Sequence, residues 1–383
     1  MPRLRIIDSL SKISPESWNA CALQAASGHN PFVSHEFLHA LEASGCATAD
    51  TGWLGQHLLV EEDDGGITGI LLLYLKSHSY GEYVFDHSWA NAYEQAGGNY
   101  YPKLQSSVPF SPVTGPRLMV HPGANRDTVG RLLVKGAIQR CEDLGLSSLH
   151  VTFAPEEDWK LMADCGMLQR QDQQFHWLND GYQTFDDFLA ALSSRKRKNI
   201  RKERREAIAD DIGIERLTGR EITEDHWDHY FNFYMDTANR KWGRPYLNRE
   251  FFSRLGEALS DRILLIMCKR DGRYIAGALN LIGDDTLYGR YWGAVEEHRF
   301  LHFEVCYYQA IEYAIEKGLA RVEAGAQGEH KLARGYVPSK TFSAHWIGNE
   351  SFRDAVERYL RQERNQVEGE MTFLESFTPF KKG

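Results

Sequence analysis

Near the carboxyl end of the chain, Gly325 to Tyr336 reads GAQGEHKLARGY. An acid (Glu329), an imidazole (His330) and two cations (Lys331, Arg334) follow closely on Gly325 and Gly328. Core packing has no use for that mix. Forming an amide from an activated acyl group needs a neutral amine, a route for its proton and donors for the developing oxyanion. A carboxylate or imidazole supplies the route, while cations and glycine-exposed backbone amides supply the donors. Glu329 and His330 are therefore candidate bases, with Glu304 and His302 of LHFEV as rivals. Lys331, Arg334 and Arg290 are candidates for oxyanion or phosphate contacts, joined by Lys103 from an earlier loop, and Trp242, Tyr246 and Tyr336 for lining a groove. The plainer alternative is a solvated helix start, where Glu329 favours the positive end and the cations are simply exposed.

Some chemistries are excluded by spacing. His302, Glu304 and His330 fit neither HExxH nor His-x-His, so no metal is expected. There is no GxSxG elbow, and no cysteine stands in a polar motif beside a partner histidine, so direct transfer without a covalent nucleophile is expected. A second cluster lies between Arg195 and Arg205, where eight cations face one acid, Glu203. On a helix Arg197, Arg201, Arg204 and Arg205 share a side, with Ile200, Ala207 and Ile208 turned to a core. That one-sided charge points to phosphate binding; a solvated connecting helix is the alternative.

These residues need elements to hold them. A chain of 383 residues favours two domains. The formal net charge of -9 argues against a surface that coats nucleic acid, so any polyanion must meet a local patch. The six cysteines are scattered without a CxxC pair; they read as small core residues in a reducing cytoplasm. No apolar run is long enough to span a membrane. Strand, two helices, three-strand meander, helix, strand, helix, strand is the order in residues 1–181, and 182–383 repeats it after opening with the basic helix. The segment His87 to Val120, rich in Gly, Pro and aromatics, reads as a long binding loop. The fold class is thus mixed α/β, with two similar units in tandem.

The unit order resembles the GNAT acyltransferase fold, and the tandem resembles the Fem aminoacyl-tRNA-dependent peptidyl transferases. The chain is most similar to FemAB-like N-acyltransferases described as peptidoglycan biosynthesis or recognition proteins. The residues that carry this are YYPKLQSSVPFSPVTGPRL (Tyr100 to Leu118), RKRKNIRKER (Arg195 to Arg204), LYGRYWG (Leu287 to Gly293), LHFEVCYYQAIEYAIEKG (Leu301 to Gly318) and GAQGEHKLARGY. The resemblance implies transfer of an aminoacyl or acyl group to an amine on a phosphate-bearing acceptor such as a muramyl peptide. It implies no tightly bound cofactor, and aminoacyl-tRNA or another acyl ester or thioester as donor. Acetyl-CoA is disfavoured, because the stretch EEHRFLHFEV lacks the glycines of a pyrophosphate loop. Two other readings are a non-catalytic module that recognises peptidoglycan or RNA, and an acyl-CoA-dependent N-acyl amino acid synthase.

Overall fold

The computed structural model describes residues 2–23, 28–241, 245–325 and 328–381, with the backbone alone at Lys241 and Glu329. Two compact units emerge: Met1–Gln173 with Lys340–Glu370, and Gln174–Ser339 with Met371–Gly383. The expected single boundary at 181/182 differs from this in two ways. The first change of unit falls inside a strand, and the chain returns to its first unit near the end.

In chain order the first unit runs β1 (Arg3–Ile7), α1 (Pro15–Ala22), α2 (His35–Ala43), β2 (Trp53–Gly55), β3 (His57–Glu61), β4 (Ile67–Leu71), β5 (Tyr74–Lys76), α3 (His87–Gln95), β6 (Lys103–Ser106), β7 (Leu118–Val120), α4 (Arg126–Asp143), β8 (Ser148–Ala154), α5 (Glu156–Asp164) and the start of β9 (Leu168–Leu178). Local signals set the helix starts. Ser14 caps α1 through the Ser17 amide, with Pro15 at the first position, and Asn125 caps α4. The strands form an antiparallel sheet β1-β3-β4-β7 and a row β2-β5-β6-β8, in which β6 and β8 are parallel across the α4 crossover. Leu58, Val60, Leu104, Leu133 and Leu149 share the core they enclose.

The expected binding loop at 87–120 is largely not a free loop. It holds α3, β6 and β7, and its irregular part, 107–117, is packed inward on buried Val108, Phe110 and Val113. Arg117, itself buried, donates to the carbonyls of Val113, Gly115, Pro116 and Thr152. A guanidinium can tie an irregular segment down this way because its five N–H groups satisfy carbonyls that no ladder reaches.

The second unit takes the end of β9, then α6 (Phe185–Ala191), α7 (Ser194–Ala207), β10 (Gly213–Thr218), α8 (Glu224–Lys241), α9 (Arg249–Leu259), β11 (Ile263–Arg270), β12 (Arg273–Ile282), β13 (Thr286–Ala294), α10 (Leu301–Phe303), a π-helical turn (Glu304–Tyr308), α11 (Gln309–Glu316) and β14 (Arg321–Glu323). The helical stretch expected from Tyr182 is broken because Leu192 is buried in extended conformation, and α7 restarts after it. The strand order is β10-β11-β12-β13-β14-β9. Helices cover both faces: Gly277 and Gly293 face Tyr230 and Phe233 of α8, while Ala276 and Ala278 share a core with Val305 and Ile311.

Here too the last meander strand, β13, runs parallel to the strand after the crossover helix. Only Thr286, Leu287 and Tyr288 pair, with Arg321, Val322 and Glu323. Beyond that point β13 continues while β14 ends, and Arg290 is the extra residue of a β-bulge between the Leu279–Tyr291 and Asn280–Gly289 pairs. β15 (Val337–Ile347) then pairs antiparallel with β8 and α12 (Glu350–Glu375) follows, a helix the sequence reading did not include.

Candidate active centre

Where β13 and β14 part, a cavity of about 70 Å³ opens against the π-helical turn. Its wall includes Asn280, Arg290, Trp292, His302, Cys306 and Tyr307. The bulge turns Arg290 out of the ladder. Its guanidinium donates to the Gly289 carbonyl at 2.9 Å and the Glu323 carbonyl at 3.3 Å, with a longer contact to the Glu323 carboxylate at 3.5 Å.

Beside this wall lies the turn Glu329–Arg334, a 3₁₀ helix. Lys331 is 1% exposed, its ammonium bonded to the Gly325 carbonyl at 3.0 Å, and among the described residues it has no carboxylate partner. Burial and the positive charge of Arg290 push its pKa down to about 7, with Cys306 acting weakly the other way. Both of those neighbours belong to the cavity wall. His330 shares a hydrogen bond with the Tyr307 hydroxyl at 2.8 Å. Partial burial and then the charges of Arg334 and Lys331 hold the imidazole below its ordinary pKa, which favours its neutral form.

Several expected site residues have structural duties instead. Glu304 is 2% exposed and is gripped at both oxygens by Arg204, with Gln309 donating at 2.7 Å. That commits Glu304 as an acceptor, so it is not a free base. Arg204 also binds Glu312 at 2.8 Å, which withdraws it from the phosphate face of α7. Arg334 is forked onto Glu203 at 2.9 and 3.1 Å, donates to the His330 carbonyl and lies 3.5 Å from the Phe303 ring centroid. It fixes the turn that carries His330 and Lys331, and is not an oxyanion donor. Tyr336 is fully buried, packed on Tyr307, so it belongs to the core and not to a ligand surface. Lys103 sits in the first unit, fully buried among Ser79, Glu82 and Asp86, so it is the centre of an ion cluster and not a reaching side chain.

The remaining expected residues divide as follows. His302 lines the cavity, with Trp292 and Tyr307 rings against it at 5.4 and 5.5 Å. Arg201 pairs with Asp186 at 3.0 Å at the surface, and Arg197, half-buried, makes no ion pair among the described residues. Tyr246 is half-buried, its amide on the Tyr234 hydroxyl, and is not in the cavity wall. Trp242 and the Glu329 side chain lie outside the described residues.

Asn280, Tyr307 and Cys306 were missed. Asn280 stands in an apolar strand and gives no motif. Cys306 does carry a signal: it follows His302 by four residues, about one helical turn.

Comparison with known proteins decides the family. The FemAB-like profile, described as peptidoglycan biosynthesis/recognition, matches residues 9–382. The chain belongs to the FemAB-like family. Among solved structures it is similar to FemX, with a TM-score of 0.57 at 13% identity over 90% of this chain and 98% of that one. L-PGS from Bacillus licheniformis gives a TM-score of 0.51 at 10% identity over 86% of this chain and 97% of that one. The C-terminal domain of a putative lysylphosphatidylglycerol synthetase from Agrobacterium fabrum gives 0.55 at 8% identity over 92% and 97%. At these identities the likeness is one of fold. No curated protein matches the sequence. Both FemAB-like units are GNAT-like, each with a meander, a crossover helix and a parallel strand. They differ where that parallel pair parts, since the strand of the first unit is interrupted by the buried segment 107–117 and that of the second by one bulged arginine. No helix among the described residues is long and apolar enough to cross a membrane.

Proposed function

We propose that this FemAB-like protein is an N-acyltransferase whose active centre is the second unit's cavity, and that it moves an acyl or aminoacyl group from an activated ester to an amine. The carrying observation is Lys331, a buried ammonium beside the cavity wall that has no carboxylate partner among the described residues. Burying a cation unpaired costs stability, so such a group is best explained by an anion it meets in the reaction. A tetrahedral oxyanion formed in the cavity is that anion, and the Arg290 guanidinium adds to the same positive field. Neutral His330, linked to Tyr307 in the wall, offers the amine proton a path.

The acceptor in this reading is a cell-wall precursor bearing phosphate, with aminoacyl-tRNA or another acyl ester or thioester as donor and the exposed side of α7, Arg197 first, as the anion contact. The family description supports the cell-wall assignment. The test is mass spectrometry of UDP-muramyl pentapeptide after incubation with the protein and either aminoacyl-tRNA or acyl-CoA. A product heavier by one acyl group, formed at least about a hundredfold more slowly with Lys331→Met, is expected. Binding of the muramyl peptide without product from either donor overturns the enzyme reading in favour of a recognition module. Product from acyl-CoA alone overturns the preference for aminoacyl-tRNA.

A further inference from the structure

One side of α7 is not accounted for by the active centre. Lys198, Arg201, Lys202 and Arg205 follow one another at i, i+3, i+4 and i+7, so they share a face, and all four are exposed. Arg201 pairs with Asp186 and Lys202 with Glu206, whereas Lys198 and Arg205 make no ion pair among the described residues. The other side of α7 is anchored by buried Ile200 and Ala207 and by Glu203, which holds Arg334. Arg197 is half-buried and stands about 100° round the helix from Lys198, so it is set apart from this face. At the carboxyl end of α7 a groove of about 420 Å³ opens beside Arg205, walled by Ile208, Ile212 and Ile214. Ile208 is 46% exposed. The groove's other polar walls are spent on one another, since Arg204 and Gln309 both donate to Glu304. What remains for a ligand is an apolar trough with one uncommitted cation, Arg205.

We infer that this face of α7 docks on a membrane surface of anionic phospholipid, with lipid phosphates on Lys198 and Arg205 and part of an acyl chain against Ile208, Ile212 and Ile214. The cations alone would suit any polyanion. Two observations favour lipid over RNA. A phosphodiester chain has nothing to place against three isoleucines, and the exposed face of α7 offers no aromatic ring on which a base could stack. A bilayer supplies both halves, phosphates in the headgroup plane and hydrocarbon just beneath it. Cations flanked by an exposed aliphatic side chain are the pattern of a helix lying in that interface. The chain carries a formal net charge of -9, so an anionic surface is repelled by the molecule as a whole and attracted at this face. The acids at this end are mostly engaged, Glu206 by Lys202 and Arg299 and Asp210 by His298, which leaves Asp211 to oppose the cations. The contact is peripheral and needs no span. The groove shares no wall residue with the active-centre cavity, so the docking stands or falls independently of acyl transfer.

The experiment is flotation of the full chain with phosphatidylcholine vesicles, with and without phosphatidylglycerol, at low and high salt, beside fluorescence anisotropy with a duplex RNA. Binding at least about tenfold tighter with phosphatidylglycerol, and lost at high salt, is expected. Lys198→Glu combined with Arg205→Glu should weaken that binding at least about tenfold while melting like the wild type, because neither side chain has an ion-pair partner to lose among the described residues. Ile208→Ser should weaken vesicle binding and Ile208→Trp should strengthen it, since an indole sits well at headgroup level. A site that reads charge alone would register neither change. No vesicle binding at low salt, equal binding to both vesicle types, or Ile208 variants that bind like the wild type overturns the proposal. Tighter binding to the RNA than to the phosphatidylglycerol vesicles also overturns it and assigns the face to nucleic acid.

Discussion

A lysine held near pH 7 makes the chemistry pH-sensitive in a direction that can be worked out. Lys331 must be protonated to stabilise an oxyanion, so its contribution to transfer declines as pH rises through about 7. Lys331→Arg, which stays charged, should flatten that alkaline decline, and Lys331→Met should slow transfer by about 10²–10³-fold across the range. Stability moves the other way. The pKa is lower in the folded chain than the ordinary 10.5, so the unfolded chain binds more protons between about 7 and 10.5, and stability climbs with pH across that window. Thermal melts of Lys331→Met should lack this climb and match or exceed the wild type at pH 7; a destabilised Met variant would contradict the burial argument. The acid pairs predict a contrast on α7. Arg204→Ala leaves buried Glu304 without its cation and should cost about 3 kcal/mol in chemical denaturation. Arg197→Ala should cost under about 0.5 kcal/mol and weaken only phosphate-bearing ligands. The letters gave both arginines as equals on one helical face. What separates them is a carboxylate a hundred residues further along the chain, and no local spacing reports such a partner.

Elements were more legible than their junctions. Ser14 with Pro15 sets the start of α1 and Asn125 that of α4, through backbone chemistry that acts within a few residues. The parting of β13 and β14, which makes the cavity, depends on a bulge at Arg290 and on β14 stopping at Glu323, and both follow from tertiary pairing. Among the described residues β14 accordingly covers only Arg321–Glu323. The approach of α8 to β13 gives a check at this scale. A Cβ on Gly293 would stand 2.3 Å from the Phe233 carbonyl carbon, closer than real atoms come, so helix or strand must shift. Gly293→Ala should destabilise by about 1–3 kcal/mol, while Gly318→Ala, with open space around its Cβ, should be penalised only for its positive φ of 66°. Equal melting temperatures for wild type and Gly293→Ala would mean that α8 does not rest on β13 as described.

At the scale of the whole molecule, the tandem arrangement was readable from the repeated order of elements, but the way the chain is shared between the units was not. A cut at 181/182 would look natural from the sequence, since the basic helix follows and the first unit's pattern seems complete. In the folded protein that cut removes Phe175 and fully buried Trp177 from the second unit's core. It also strips β14 of its antiparallel partner, in which His176, Trp177 and Leu178 face Glu323, Val322 and Arg321. The other piece loses β15, the partner of β8, and α12, whose Val356 and Leu360 pack with Trp89 and Tyr100. Each piece therefore lacks a strand and a buried aromatic or aliphatic layer, far more than a marginally stable domain tolerates. Residues 182–383 expressed alone should give a broad melt and weak near-ultraviolet circular dichroism, where the full chain melts cooperatively. The functional consequence is sharper. With β14 an unsupported edge, Glu323 no longer holds Arg290 at the bulge, so the fragment should bind no acyl donor even though it contains every residue assigned here to the cavity wall. A fragment that melted cooperatively and still transferred acyl groups would show that 182–383 is a domain in its own right and that β9 is dispensable to it.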